Sequence, residues 1–144
     1  MQAKDRDKQA VLATLDRYSE LYAAHDTDGI SALFAPDADI VVIGTGADER
    51  YVGPDAIRGL FQRNFAESDT ADVSWTWRHV VIVGSAAWVA AEADIRVRPG
   101  GVETVVPVRW TVIMEKRGER WLWLHRHASV AASGQAAGKA YPTE

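Results

Sequence analysis

From residue 73 to residue 130 the chain is almost continuous strand-forming sequence, interrupted only at short glycine-bearing breaks. Runs at 73–83, 86–98, 102–115 and 120–130 are separated by Gly84-Ser85, Pro99-Gly100-Gly101 and a turn holding Gly118. Connections this short cannot carry a parallel crossover, which needs a dozen or more residues, so these four long strands pair as successive antiparallel hairpins. A sheet of that width needs something to cover it.

The first half of the chain supplies the cover. Val11, Leu12, Leu15, Tyr18, Leu21 and Tyr22 recur at three- and four-residue steps, which predicts a helix over about 4–24 with one apolar stripe. His25-Asp26-Thr27-Asp28 stops it, and Asp26 or Thr27 can cap a short second helix running through Leu33-Phe34. Ala35-Pro36-Asp37 ends that helix. A short strand follows at 40–43, then a turn-rich loop, Gly44-Thr45-Gly46-Ala47-Asp48-Glu49. Gly53-Pro54-Asp55 opens a third helix whose buried side is Ala56, Ile57, Leu60, Phe61, Asn64 and Phe65. The plan is α+β: three N-terminal helices packed on one face of a strongly curved antiparallel sheet, with an internal pocket. One domain is expected over 1–131, with 132–144, rich in Ala, Gly and Ser, as a flexible tail.

Composition narrows the partners. The 144 residues include no cysteine, which excludes disulfides, thiol catalysis and thiolate metal sites. A formal charge of −4 argues against nucleic acid, which demands clustered cations. No apolar run approaches membrane-spanning length, and the N-terminus is polar, so a cytoplasmic protein with no membrane contact is expected. The sheet face turned away from the helices is too apolar to be left wet, which predicts a homodimer or larger ring through that face.

The most patterned run is Trp121-Leu122-Trp123-Leu124-His125-Arg126-His127-Ala128-Ser129. Strict strand alternation puts Trp121, Trp123, His125, His127 and Ser129 on one face and Leu122, Leu124, Arg126 and Ala128 on the other. The same alternation puts Trp75 and Trp77 on one face of the first long strand. His125 and His127 have the spacing of two ligands on one ion, with His79 as a third. Without cysteine or a fourth ligand the structural reading, hydrogen-bonded histidines in a core or interface, is preferred, and neither metal nor cofactor is expected. His127 alone can serve as a general base. Glu92 and Asp94, two apart on one strand, can raise one another's pKa and supply an acid or base, with Asp94 the better candidate. The preferred reading is a solvent-facing strand end, with the two acids paired to Arg96, Arg98 or a neighbour.

The order of elements, the Gly53-Pro54-Asp55-Ala56-Ile57 helix opening and the Trp121-x-x-x-His125-x-His127-x-Ser129 run together resemble the nuclear transport factor 2-like superfamily, also called SnoaL-like or cystatin-like cone domains. Within it they are most similar to the association (hub) domain of calcium/calmodulin-dependent protein kinase II, over about residues 4–130. The resemblance implies that Val106, Val108, Trp110, Val112, Leu122, Leu124 and Arg126 point inward. In the hub domains this cavity is cationic and recognises carboxylates, a pocket that this sequence does not reproduce. Val112, Ala128 and, on the second strand, Asp94 stand where hub arginines would be, which leaves Arg126 as the main cation. The ketosteroid isomerases of the superfamily offer a second comparison. Tyr18, eight residues before Asp26, matches their oxyanion-binding tyrosine, but the position of their general base reads Val42.

The expected pocket therefore comprises Tyr18, Tyr22, Trp77, Glu92, Trp110 and Arg126, with Asp94 and His127 as candidate catalytic groups. The expected function is a self-associating domain that binds a small apolar or carboxylate ligand and has no kinase activity. A small isomerase, dehydratase or cyclase is the alternative.

Overall fold

The computed structural model describes residues 2–69 and 71–143; Met1, Thr70 and Glu144 lie outside the described residues. The apolar stripe at the N-terminus forms α1 (Ala3–Ala23), burying Val11, Leu15, Tyr18, Leu21 and Tyr22. His25 takes a left-handed φ of 53°, and the chain turns into α2 (Thr27–Ser31). Asp26 caps it by accepting from the Gly29 amide at 2.8 Å. The helix ends at Ser31 rather than at Phe34, which instead bridges Trp123 in parallel. Next come β1 (Val41–Ile43), β2 (Arg50–Val52) and α3 (Pro54–Glu67). Gly53 precedes α3 at φ 87°, a conformation that a side chain would strain.

The second half is β3 (Ala71–Val83), β4 (Ala86–Val97), a 3-10 turn at Pro99–Gly101, β5 (Thr104–Arg117) and β6 (Arg120–Ser129). Among the described residues the sheet has six strands in the order β2-β1-β6-β5-β4-β3. The four long strands pair antiparallel, as their short turns require. The sheet as a whole is mixed, because β1 runs parallel to β6. Just past the loop expected at 44–49 lies a strand not expected from the sequence, β2, which extends the sheet's edge by pairing antiparallel with β1.

Two bulges decide which side chains face the helices. Between β3 and β4, Trp75 pairs with Ala93 and Trp77 with Glu92, so Thr76 is the extra residue. Between β5 and β6, Ile113 pairs with His125 and Met114 with Trp123, so Leu124 is the extra one. Each bulge reverses the parity of alternation on its strand. Trp75 therefore faces the core while Trp77 is 50% exposed on the opposite face. Trp121 and Trp123 face the core together with Arg126 and Ala128, and His125, His127 and Ser129 fall on the outer face. The even-numbered inward set holds along β5 through Val106, Val108, Trp110 and Val112, and along β6 only from Arg126 onward.

Candidate functional site

The helix-covered face of the sheet is filled at one end and hollow at the other. At the filled end Trp123 is fully buried, stacks on Tyr18 at 5.1 Å between ring centroids and donates from Nε1 to Thr14 Oγ1 at 2.9 Å. Beyond Tyr18 the sheet and helices part around a cavity of about 280 Å³. Its floor is Trp110, Arg126 and Ala128, with Val106, Val108, Ile95 and Val97 from the same face. Tyr18 and Tyr22 of α1 form one wall, Asn64, Glu67 and Ser68 at the end of α3 another, and Gly44, Thr45 and Glu49 frame the mouth.

Arg126 is the central group. Sheet register places it in a cross-strand row with Val42 on β1 and Val112 on β5, both fully buried. The residue is only 4% exposed. Its Nη1 donates to the Tyr18 hydroxyl at 3.0 Å, and its guanidinium carbon lies 4.9 Å from the centre of the Trp110 ring. Nε has no acceptor, and among the described residues no carboxylate pairs with the guanidinium. A cation–π contact and one neutral hydrogen bond offset little of the cost of taking such a charge out of water, which is several kcal/mol, about 5 or more. Trp110 Nε1, also buried, has no acceptor either.

Tyr18 is fixed by rings on several sides: Tyr22 at 5.7 Å, Phe61 at 6.0 Å and Trp110 edge-on at 5.0 Å, besides Trp123. Burial pushes its hydroxyl far above the ordinary tyrosine value, although Arg126 pulls the other way. Tyr18 thus stays protonated. Having accepted from Arg126, its hydroxyl still has a proton to donate. The Tyr22 pKa is raised too, by burial, against the pull of Arg126 and a hydrogen bond from Asn64.

These features sit on a known architecture. The SnoaL-like domain family matches residues 11–133, most of the chain. The chain belongs to that family. No curated protein matches it. Among solved structures it is similar to a proposed dehydratase of the nuclear transport factor 2-like family from Streptomyces avermitilis, at 20% identity and TM-score 0.82 over 90% of this chain and 99% of that one. It is also similar to a nuclear transport factor 2-like superfamily protein from Salmonella enterica, at 16% identity and TM-score 0.84 over 96% and 100% of the two chains. A proposed calcium/calmodulin-dependent protein kinase II association domain from Xanthomonas campestris shares 22% identity at TM-score 0.76, over 85% and 86%. At these identities the likeness shows the cone fold and no shared activity.

Of the residues singled out from the sequence, this SnoaL-like domain brings Tyr18, Tyr22, Trp110 and Arg126 together around the cavity. The other four do not line it. Trp77 is turned outward by the bulge at Thr76, and stacks on His79 instead, 6.1 Å away. Glu92 and Asp94 alternate with the buried Ala91 and Ala93, so they lie on the outer face, where Asp94 pairs in register with Ser74 and Pro107. His127 is exposed on the same outer face, past the bulge at Leu124. His125 hydrogen-bonds through Nδ1 to the Val41 carbonyl oxygen at 2.8 Å. No group of three or more His, Asp or Glu among the described residues is placed to hold a metal ion. Leu122 and Leu124, expected inside, give way to Trp121 and Trp123 for the same reason.

Glu49, Asn64 and Glu67 line the cavity without having been singled out as site residues. Asn64 was legible as a buried-side position of α3. Glu49 was legible only as the last residue of a glycine-rich loop, and nothing in that pattern says where its carboxylate goes.

Proposed function

We propose that this SnoaL-like domain binds a small, largely apolar anion, with a carboxylate or equivalent group seated against Arg126 and Tyr18. The observation that carries this reading is the buried, unpaired guanidinium beside a protonated tyrosine in an apolar-walled cavity. Buried charges are ordinarily paired, and a guanidinium is shaped for carboxylate oxygens. The cavity is about twice the roughly 150 Å³ of an engineered cavity that takes benzene, so a one-ring ligand fits. Trp110, Ile95, Val97 and Val106 supply the apolar walls. An acid–base enzyme using Asp94 or His127 has neither group in this cavity.

Calorimetric titration with para-toluate and its neutral isostere para-toluamide tests the reading. Preference for the carboxylate by about tenfold or more, lost in Arg126→Met, supports it. Equal affinity for acid and amide would sink it.

Self-association through the outer face is part of the same proposal. Trp88 and Ile113 pair in register there, and both are exposed, 44% and 40%. With Val81, which pairs in register with Trp88, they make an apolar row across three strands of the kind that pairs with a second copy about a two-fold axis. Native mass spectrometry of the wild type is expected to give a dimer or higher ring and Trp88→Arg a monomer. A monomeric wild type would remove this part.

A further inference from the structure

Two carboxylates, Glu49 and Glu67, line the cavity, and Glu67 lies 3.8 Å from Arg63. Glu49 is half-buried and lines the cavity with Gly44 and Thr45. Its side chain folds back over its own loop, where Oε1 accepts from the Gly46 amide at 2.7 Å. Backbone bonds close that loop, from Gly44 N to Glu49 O at 2.9 Å and from Glu49 N to Gly46 O at 3.1 Å. The two glycines make room for the acid. A Cβ at Gly44 would lie 2.9 Å from the Glu49 carboxyl carbon and Oε2, and one at Gly46 would lie 2.6 Å from Oε1. Any side chain at either position pushes the carboxylate out of place. The Gly44-Thr45-Gly46-Ala47-Asp48-Glu49 run is therefore a holder for Glu49 rather than a generic turn.

Among the described residues no ion pair joins a cation to the Glu49 carboxylate, although the Arg63 charge acts on it at longer range. Arg63, the nearest candidate on α3, is engaged by Asp48 at 3.1 Å and Glu67 at 3.8 Å. Arg126 lines the same cavity, yet no ion pair joins it to Glu49 among the described residues. The cavity thus presents an unpaired, 96%-buried cation at its floor (the residue is 4% exposed) and a fixed, unpaired anion at its mouth. A simple monoanion has to enter past Glu49 and is repelled by it. A molecule with opposite charges at its two ends meets a complementary group at each.

We propose that the ligand is a small one-ring zwitterion whose anionic group meets Arg126 and Tyr18 and whose protonated amine meets Glu49. This rests on the anion-binding reading of the floor and adds the other half of the ligand. The probes are para-aminomethylbenzoate and para-toluate, which differ by one amine, titrated calorimetrically into wild type and Glu49→Gln. Glutamine keeps an oxygen for the Gly46 amide, and unchanged melting of the free variant confirms an intact loop.

Wild type is expected to prefer the amine-bearing probe by about tenfold, the worth of one charge-assisted bond. Glu49→Gln is expected to lose that preference and to bind para-toluate at least as well as wild type does. Equal binding of the two probes by wild type, or a preference that survives Glu49→Gln, overturns the zwitterion proposal and leaves anion binding standing. Failure of both probes to bind wild type overturns both.

Discussion

The two ends of the helix-covered sheet face use the same materials to opposite effect. Around Trp123, aromatic rings close against Phe34, Tyr18 and Met114, and the indole N–H finds an acceptor in Thr14. Around Arg126, a few residues along the same strand, an indole N–H and a guanidinium Nε find none, and the walls stand apart. The first end is closed by ring packing, although the buried Trp121 Nε1 there also lacks an acceptor. The second keeps polar groups unpaired at a cost in stability, the pattern expected where binding rather than packing set the residues.

Large-to-small changes separate the two ends most sharply. Trp123→Ala at the closed end is expected to cost about 3–5 kcal/mol in chemical denaturation, because it opens a cavity where every neighbour is fixed. At the open end Arg126→Met is expected to do the reverse and raise stability by about 1–3 kcal/mol, since it removes a buried charge that nothing neutralises. Destabilisation by Arg126→Met would mean that the guanidinium is structural and the contrast is wrong.

Tyr18 joins the two ends, stacked on Trp123 and bonded to Arg126. Tyr18→Phe keeps the ring and loses the hydroxyl, and is expected to cost about 1–2 kcal/mol. It also reports on titration. The folded-state pKa of Tyr18 lies above its unfolded value, so the unfolded chain loses this proton first and stability falls as pH rises beyond about 10. Thermal melts across that range should show a shallower alkaline decline in Tyr18→Phe than in wild type.

The smallest effect lies outside both ends. Arg117 holds Asp37 through two bonds of 2.7 and 2.6 Å, and this keeps the Asp37 pKa below the usual carboxylate value. The contribution is present above the ordinary carboxylate pKa and is lost as pH falls through the lowered one. Asp37→Asn should therefore melt slightly below wild type at neutral pH and level with it in strong acid. A gap that persists in acid would assign Asp37 another role.

How much of this was legible in the sequence depends on the range of the signal. Helical periodicity in α1 and glycine-marked hairpins are local, and they specified the α+β plan and the inward positions of Tyr18 and Tyr22; Trp110 was placed inside by the family resemblance. Arg126 was also placed inside, by the family resemblance rather than by alternation alone. The two bulges were not legible. Thr76 and Leu124 are ordinary strand residues, and only cross-strand register reveals them as extra. Trp77 and the His125–His127 pair were assigned to the wrong partners on that account. Glu92 and Asp94 failed differently: their mutual spacing was read correctly, but one strand cannot say which of its faces the helices will cover. Glu49 depended on two glycines yielding space to a side chain several residues on, a tertiary fact written in loop composition.

On the proposed reading, Arg126 is kept for an anion at the expense of the fold. Wild type and Arg126→Met melted side by side, with and without excess para-toluate, test it in one experiment. A crossing is expected: the variant melts above wild type in buffer, and para-toluate raises only wild type, because a ligand stabilises just the state that binds it. A variant that melts below wild type in buffer, or that para-toluate stabilises equally, would contradict it.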